Sequence, residues 1–325
     1  MVQNESYFET HDGTKLYLYR WSPVDGTVAQ AARAVVHIIH GMAEHALRYR
    51  HLAEKLTAFG IEVWAADQRG HGKTADLTVN KPERGGLLGH TGDGNGFVRV
   101  TADIHAINEE IRKTVKTPLF LLGHSWGSFI AQNYIEYSNH GSSNGSKING
   151  CILSGTKGPG DFMVKAGVPI MSLLAALKGQ RNGSRFARSL GDGSYNKAFK
   201  PNRTAVDWLN RDEKEVDKYI ADPLCGFLCS TGFYRDLTKI LYNIHRPEAM
   251  ARIDRSLPIY VFSGSADPVG GMGKTPTNLV NEYRMLGIDN CEFVLYPGAR
   301  HEPLNETNRD EVIDNLIAWI NKVCC

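Results

Sequence analysis

Short apolar runs of strand length alternate with amphipathic stretches of helical period, and this alternation restricts the possible folds more than any other feature of the chain. Residues 34–39 (AVVHII), 61–66 (IEVWAA), 118–122 (PLFLL) and 148–154 are strand-like, and so are 258–262 and 291–296. Runs that are apolar throughout suit strands buried on both faces. Between them, Tyr49, Leu52, Leu56 and Phe59 recur at helical spacing until Gly60. Phe97, Val100, Ile104, Ile107, Ile111 and Val115 mark a second amphipathic helix. Residues 128–137 are helix-like. Thr275-Pro276 opens a further helix that ends at Gly287, and Thr307 with Asp310 forms a capping box for a last one. Ahead of all these, 6–10 and 15–19 flank the turn residues Asp12 and Gly13 as a hairpin. The pattern predicts the α/β class, with a mostly parallel central sheet flanked by helices.

Residues 156–255 interrupt the alternation. They are rich in Gly, Asn, Arg and Asp, with short helical patches and no clear strand. The organisation expected is one core, 1–155 with 256–325, and a helical cap inserted at 156–255 over the carboxyl edge of the sheet, where α/β proteins bind ligands. A chain of 325 residues accommodates a core of roughly 200 residues and an insertion.

Composition narrows the function. A formal net charge of +2 gives no electrostatic case for a nucleic-acid partner. The first residues hold no apolar leader, and no run of 18 apolar residues occurs. The six cysteines show no CxxC pair and read as reduced thiols in a cytoplasmic protein.

Gly123-His124-Ser125-Trp126-Gly127 matches G-x-S-x-G. Glycine is common enough here, at 33 residues, that a second match occurs at Gly141-Ser142-Ser143-Asn144-Gly145. Context separates the two. The first follows an apolar strand and precedes a helix, the setting that exposes a nucleophilic serine on a tight turn. The second sits in a polar loop. A serine hydroxyl needs a histidine to take its proton and a carboxylate to hold that histidine. Asp267 and His301 each stand a few residues beyond a late strand, on the edge where Ser125 emerges, in the chain order Ser, Asp, His. Asp254 and Asp289 precede their strands, and His245 lies in the cap. Acyl transfer also needs two donors for the developing oxyanion. The backbone N–H groups of Trp126, after the nucleophile, and Met42, in the His40-Gly41-Met42 loop after an early strand, are the candidates.

With these residues in place, the chain resembles the monoacylglycerol lipase and lysophospholipase branch of the α/β hydrolases, often grouped with serine aminopeptidases. The matching segments are HGMAEHALRY (40–49), ADQRGHGKT (66–74), LLGHSWGSFIAQNY (121–134), SGSADPV (263–269) and YPGARHE (296–302). The resemblance implies an α/β-hydrolase fold, a Ser125–Asp267–His301 triad, Met42 and Trp126 as oxyanion donors, a small-molecule acyl ester as substrate and no cofactor. Trp126 stands where many lipases of the group carry Met, which changes the shape of the acyl pocket.

An aminopeptidase would use a cap carboxylate from 211–217 or 221–223 to hold the substrate's amino terminus. A binding protein on a hydrolase fold would usually have lost a triad member. Gly273-Lys274-Thr275 and Gly72-Lys73-Thr74 end like phosphate loops but lack the first glycine. His37, His40, His45 and His51 lack the spacing of a metal motif, so no metal is expected. The segment 162–177 offers a transient contact with lipid surfaces, although Lys165, Gly167 and Pro169 favour plain cap packing. Glu44, Arg48 and Tyr49 read as substrate contacts or as braces of their loop.

Overall fold

The structure is a computed structural model and describes every residue except 26, 27, 30, 138–146, 161, 191 and 325. The second G-x-S-x-G match, 141–145, therefore lies outside the described residues.

A hairpin of β1 (Val2–Glu9) and β2 (Lys15–Ser22) opens the chain, and a minimal ribbon of β3 (Val24–Asp25) and β4 (Val28–Ala29) follows. The hairpin is longer than its sequence pattern suggested, because pairing runs through all eight residues of β1. Six more strands complete the main sheet: β5 (Ala34–Ile39), β6 (Ile61–Ala66), β7 (Leu119–His124), β8 (Gly150–Ser154), β9 (Ile259–Gly264) and β10 (Cys291–Tyr296). Their order is β1-β2-β6-β5-β7-β8-β9-β10. β1, β2 and β6 pair antiparallel, and every pair from β6 to β10 is parallel.

The apolar strands are buried on both faces, and the period of two sorts their side chains into two layers. Val35, Ile39, Leu119 and Leu121 join one cluster with Val100, Ile104 and Ile107 of α2 (Gly96–Thr114) and Ile130 and Tyr134 of α3 (Trp126–Tyr137). Val36, Ile38, Phe120 and Leu122 join the other, with Leu52 and Leu56 of α1 (Arg50–Ala58). Each fully buried aliphatic or aromatic side chain contributes ~1.5–3 kcal/mol of transfer free energy.

Between β8 and β9 the described residues are helical or turn-forming, apart from one isolated bridge between Gly183 and Ser230. The helices are α4 (Phe162–Lys178), α5 (Arg185–Leu190), α6 (Glu213–Ala221), α7 (Thr231–Asn243) and the short α8 (Pro247–Met250). α4 is continuous through Pro169.

The last two helices are α9 (Lys274–Met285) and α10 (Arg309–Cys324). α10 begins one residue later than the expected capping box implies. Asn308 occupies the cap position, and its amide donates to Glu311 Oε2 at 2.9 Å. Thr307 instead bonds Glu306. Because β5, β7, β9 and β10 are parallel, the loops that follow them all emerge on one edge of the sheet, and that edge carries the candidate site.

Candidate active site

β7 turns into α3 within a single residue. Ser125 sits at that corner with φ of 52°, a left-handed conformation that costs of order 1–3 kcal/mol for a residue with a Cβ. The Ser125 N–H donates to Ser154 O at 2.9 Å and holds the corner in place. Only glycine fits two residues to either side. A Cβ on Gly123 would run into Gly127 O, and one on Gly127 into Ile39 O. The turn thus aims the hydroxyl off the end of the sheet.

Asp267 lies on the loop after β9 and His301 on the loop after β10. The loops pass so closely that a Cβ on Gly264 would run into Ala299 O. His301 is buried and its ring bridges the other two residues. Nε2 accepts from Ser125 Oγ at 2.8 Å, and Nδ1 donates to both Asp267 oxygens at 3.0 Å. Asp267 is fixed in turn by the Val269 N–H at 2.9 Å and by Ser263 Oγ at 3.3 Å.

The donor side is equally constrained. The Gly41 N–H is taken by Glu44 Oε1 at 2.5 Å, so it cannot serve a substrate. The N–H groups of Met42 and Trp126 make no hydrogen bond among the described residues. Trp126 N–H also opens α3, where the helix's unpaired donors favour negative charge. His40 braces this loop. Its Nδ1 donates to Gly41 O at 2.8 Å, and its Nε2 accepts from Gln68 N–H at 2.9 Å.

The sequence profile of the family described as "Serine aminopeptidase, S33" matches residues 30–308. The chain belongs to this family. It is 27% identical over 324 residues to a monoacylglycerol lipase of Mycolicibacterium smegmatis, covering 98% of this chain and 97% of that one. It is 28% identical over 273 residues to the human monoglyceride lipase, covering 79% and 71%. Its structure superposes on a thermostable carboxyl esterase of Bacillus coagulans, crystallised with glycerol, with a TM-score of 0.87 at 27% identity over the whole of both chains. A monoglyceride lipase of Saccharomyces cerevisiae shares the fold with a TM-score of 0.74 at 23% identity, covering 99% of this chain and 96% of that one. The fold is the α/β-hydrolase fold.

The electrostatics of this S33 chain suit a base that takes up positive charge during the reaction. Burial lowers the pKa of His301, but the charge and hydrogen bonds of Asp267 outweigh it, and the net shift is upward. Neighbouring His124 is pushed down to about 4 by burial, with His301 adding to the effect, so it stays neutral. Glu44, Arg48 and Glu302 form a buried cluster beside the site. Arg48 bonds Glu44 Oε2 at 2.5 Å and both oxygens of Glu302 at 2.7 and 2.9 Å. Burial raises Glu44, yet Arg48 and the neighbouring histidines bring it down to about 2. Both carboxylates are spent on Arg48, and Tyr49 also donates to Glu44, at 2.8 Å. These bonds brace the loop, and Glu44 also lines the small cavity at Ser125.

Sequence reasoning missed what residues 156–255 bring to the site. The Trp208 ring lies 5.1 Å from that of His301. Tyr219 donates to Ala43 O at 3.0 Å, and the Gly226 N–H donates to the same oxygen at 2.9 Å. Nothing in the spacing of these residues distinguishes them from ordinary cap packing. The four clustered histidines take separate partners: His37 bonds Asn108, His40 its own loop, His45 Asp222 and His51 Leu304 O. His45, Asp222 and Cys225 do approach one another within 4.8 Å. Burial raises the Cys225 thiol, and Arg48 is near enough to act on it, so the trio suits a cation poorly.

Two small cavities meet at Ser125. One, of about 40 Å³, is floored by Glu44, His124 and Glu302. The other, of about 70 Å³, is walled by Trp126, Phe129, Tyr195, Trp208 and Leu241. Among the described residues, no helix is long and apolar enough to cross a membrane.

Proposed function

We propose that Ser125, Asp267 and His301 are a catalytic triad that cleaves monoacylglycerol-like or lysophospholipid-like esters through an acyl-enzyme. The chain is a carboxylic ester hydrolase. The observation that carries the triad is the bridging position of His301, bonded to Ser125 Oγ and Asp267 at once.

In the first step Ser125 Oγ attacks the ester carbonyl while Nε2 of His301 takes its proton. The Met42 and Trp126 N–H groups stabilise the oxyanion, and Asp267 stabilises the imidazolium. His301 then gives the proton to the leaving alcohol, and the acyl group stays on Ser125. In the second step water, deprotonated by the same histidine, releases the acid and restores the serine. Residues 156–255 act as a cap over both cavities. The polar cavity takes the alcohol and the apolar one the acyl chain. A cytoplasmic setting belongs to the same reading and agrees with the five free thiols among the described residues.

Among the described residues, the carboxylates the aminopeptidase alternative would draw on are engaged elsewhere. In 211–217 and 221–223, Asp212 caps α6, Glu213 and Asp217 pair with Arg203, Glu215 with Lys218 and Arg309, and Asp222 with His45. In the site, Glu44 and Glu302 are neutralised by Arg48. Hydrolysis of monoacylglycerol and of an aminoacyl p-nitroanilide by wild type and Ser125→Ala tests the reading. Ester turnover that falls by ~10⁴-fold or more in the variant supports it. Faster cleavage of the anilide than of the ester contradicts it.

A further inference from the structure

We propose that, of the ester classes named above, this enzyme takes the short-chain monoacylglycerol-like ones and not lysophospholipids with long tails, because its acyl site favours chains of about four to six carbons, with Tyr195 and Trp208 as the roof that sets the limit. The inference rests on reading Ser125 as the nucleophile and the adjoining apolar cavity as the acyl side.

The first observation is the size of that cavity. At about 70 Å³ it is about half the ~150 Å³ of a cavity that takes a benzene-sized ligand, which suits a short acyl chain and not a palmitoyl tail. The walls are rings and branched chains on fixed elements: Trp126 and Phe129 on α3, Tyr234, Leu237 and Leu241 on α7. Trp126 is itself locked, stacked 5.0 Å from His71 at 21° and packed 5.1 Å from Phe233.

The second observation is that the roof is tied to the catalytic loops. Tyr195 and Trp208 meet edge to face at 5.1 Å. The Trp208 N–H donates to Asn196 Oδ1 at 3.0 Å. On either side of Trp208, the Asp207 and Asn210 carbonyls accept from the Arg300 guanidinium. The Glu302 N–H donates to Leu209 O at 2.9 Å, and Arg211 reaches Glu306 at 2.8 Å. Arg300 and Glu302 flank His301. Lifting the roof to lengthen the slot therefore disturbs the loop that holds the base, and the closed slot is the working one.

The third observation is where the remaining apolar surface lies. Among the described residues, α4 supplies none to the slot lining. Its Met163, Leu173 and Leu177 are exposed. A cleft of about 640 Å³ between α2, α3 and α7 shares no lining residue with the slot, so among the described residues it does not lengthen the slot.

The test is kcat/KM of the full chain on soluble p-nitrophenyl esters from acetate to laurate, each below its aggregation point. Wild type is compared with Tyr195→Ala and Leu241→Ala, with Ser125→Ala as the blank. Wild type is expected to peak at butyrate or hexanoate and to fall at least tenfold by laurate. At least one folded variant is expected to raise its laurate-to-butyrate ratio tenfold or more. A wild-type profile that is flat or peaks at laurate overturns the proposal alone. So do two folded variants that both keep the wild-type ratio. No hydrolysis of any ester overturns the reading of Ser125, and the proposal with it.

Discussion

Arg48 and Glu302 meet through two parallel hydrogen bonds, 2.7 and 2.9 Å long, and that pairing joins the loop of the candidate oxyanion donor to the loop of the candidate base. Arg48 also bonds Glu44, whose other oxygen holds the Gly41 N–H, and lies 5.0 Å over the Tyr219 ring of the cap. One guanidinium therefore keeps the Met42 loop, the His301 loop and α6 in register. Removing it leaves two buried carboxylates facing each other. Arg48→Ala is expected to destabilise the fold by ~3–5 kcal/mol in denaturant titration, the range for breaking a buried ion pair. Arg48→Lys restores the charge without the fork and is expected to recover only part of the stability and of kcat.

The pH dependence follows from the bridging of His301. The base must be neutral to accept the serine proton, so kcat/KM rises with pH through the histidine's pKa. Asp267 sets that value above the ordinary imidazole value of ~6.5, against the opposing effect of burial. Asp267→Asn removes the charge and leaves the burial. The limb is expected to shift to lower pH, and kcat/KM to fall by ~10³–10⁴-fold. A pH–rate profile of both proteins checks the direction.

The nucleophile turn gives a steric prediction. A Cβ on Gly127 has Ile39 O and His40 O in its way, and neither backbone group can move without shifting β5 and the oxyanion loop. Gly127→Ala is expected to cost ~2–4 kcal/mol and most of the activity. A thermal melt beside an ester assay reads both. Full activity at unchanged stability would mean the turn is not as tight as described.

Glu136, on α3, is fully buried, and neither of its carboxylate oxygens has a hydrogen-bond partner among the described residues. Burial pushes its pKa up to about 9, with Arg252 opposing only weakly. The sign follows from linkage. Between the unfolded value of ~4.3 and the folded value, the native state binds the extra proton, so stability falls as pH rises. Glu136→Gln removes this titration. The gap in unfolding free energy between variant and wild type is expected to shift in the variant's favour from pH 5 to pH 9, measured by urea titration at each pH.

The core was legible because its signals are local. AVVHII, IEVWAA and PLFLL are buried on both faces as parallel strands and could hardly be anything else. Ser125, Asp267 and His301 were singled out because each follows a strand-like run, and parallel strands deliver their following loops to one edge. The cap was legible only as an interruption. Trp208, Tyr219 and Arg300 reach the site through pairings 90 or more residues apart in sequence, and no period or motif encodes those. The capping box at Thr307 failed for a similar reason, since Glu306 holds Thr307 and passes the cap to Asn308.

The central claim is that Ser125 forms a covalent acyl-enzyme, and labelling with a fluorophosphonate tests it most directly. The reagent captures a serine activated by a neighbouring base, and mass spectrometry of the digest locates the adduct. One adduct per chain, on the peptide that carries Ser125, with ester hydrolysis lost in proportion, is the predicted result. Ser125→Ala should take up none. An adduct on another serine, or an unlabelled chain that still cleaves esters, would contradict the account.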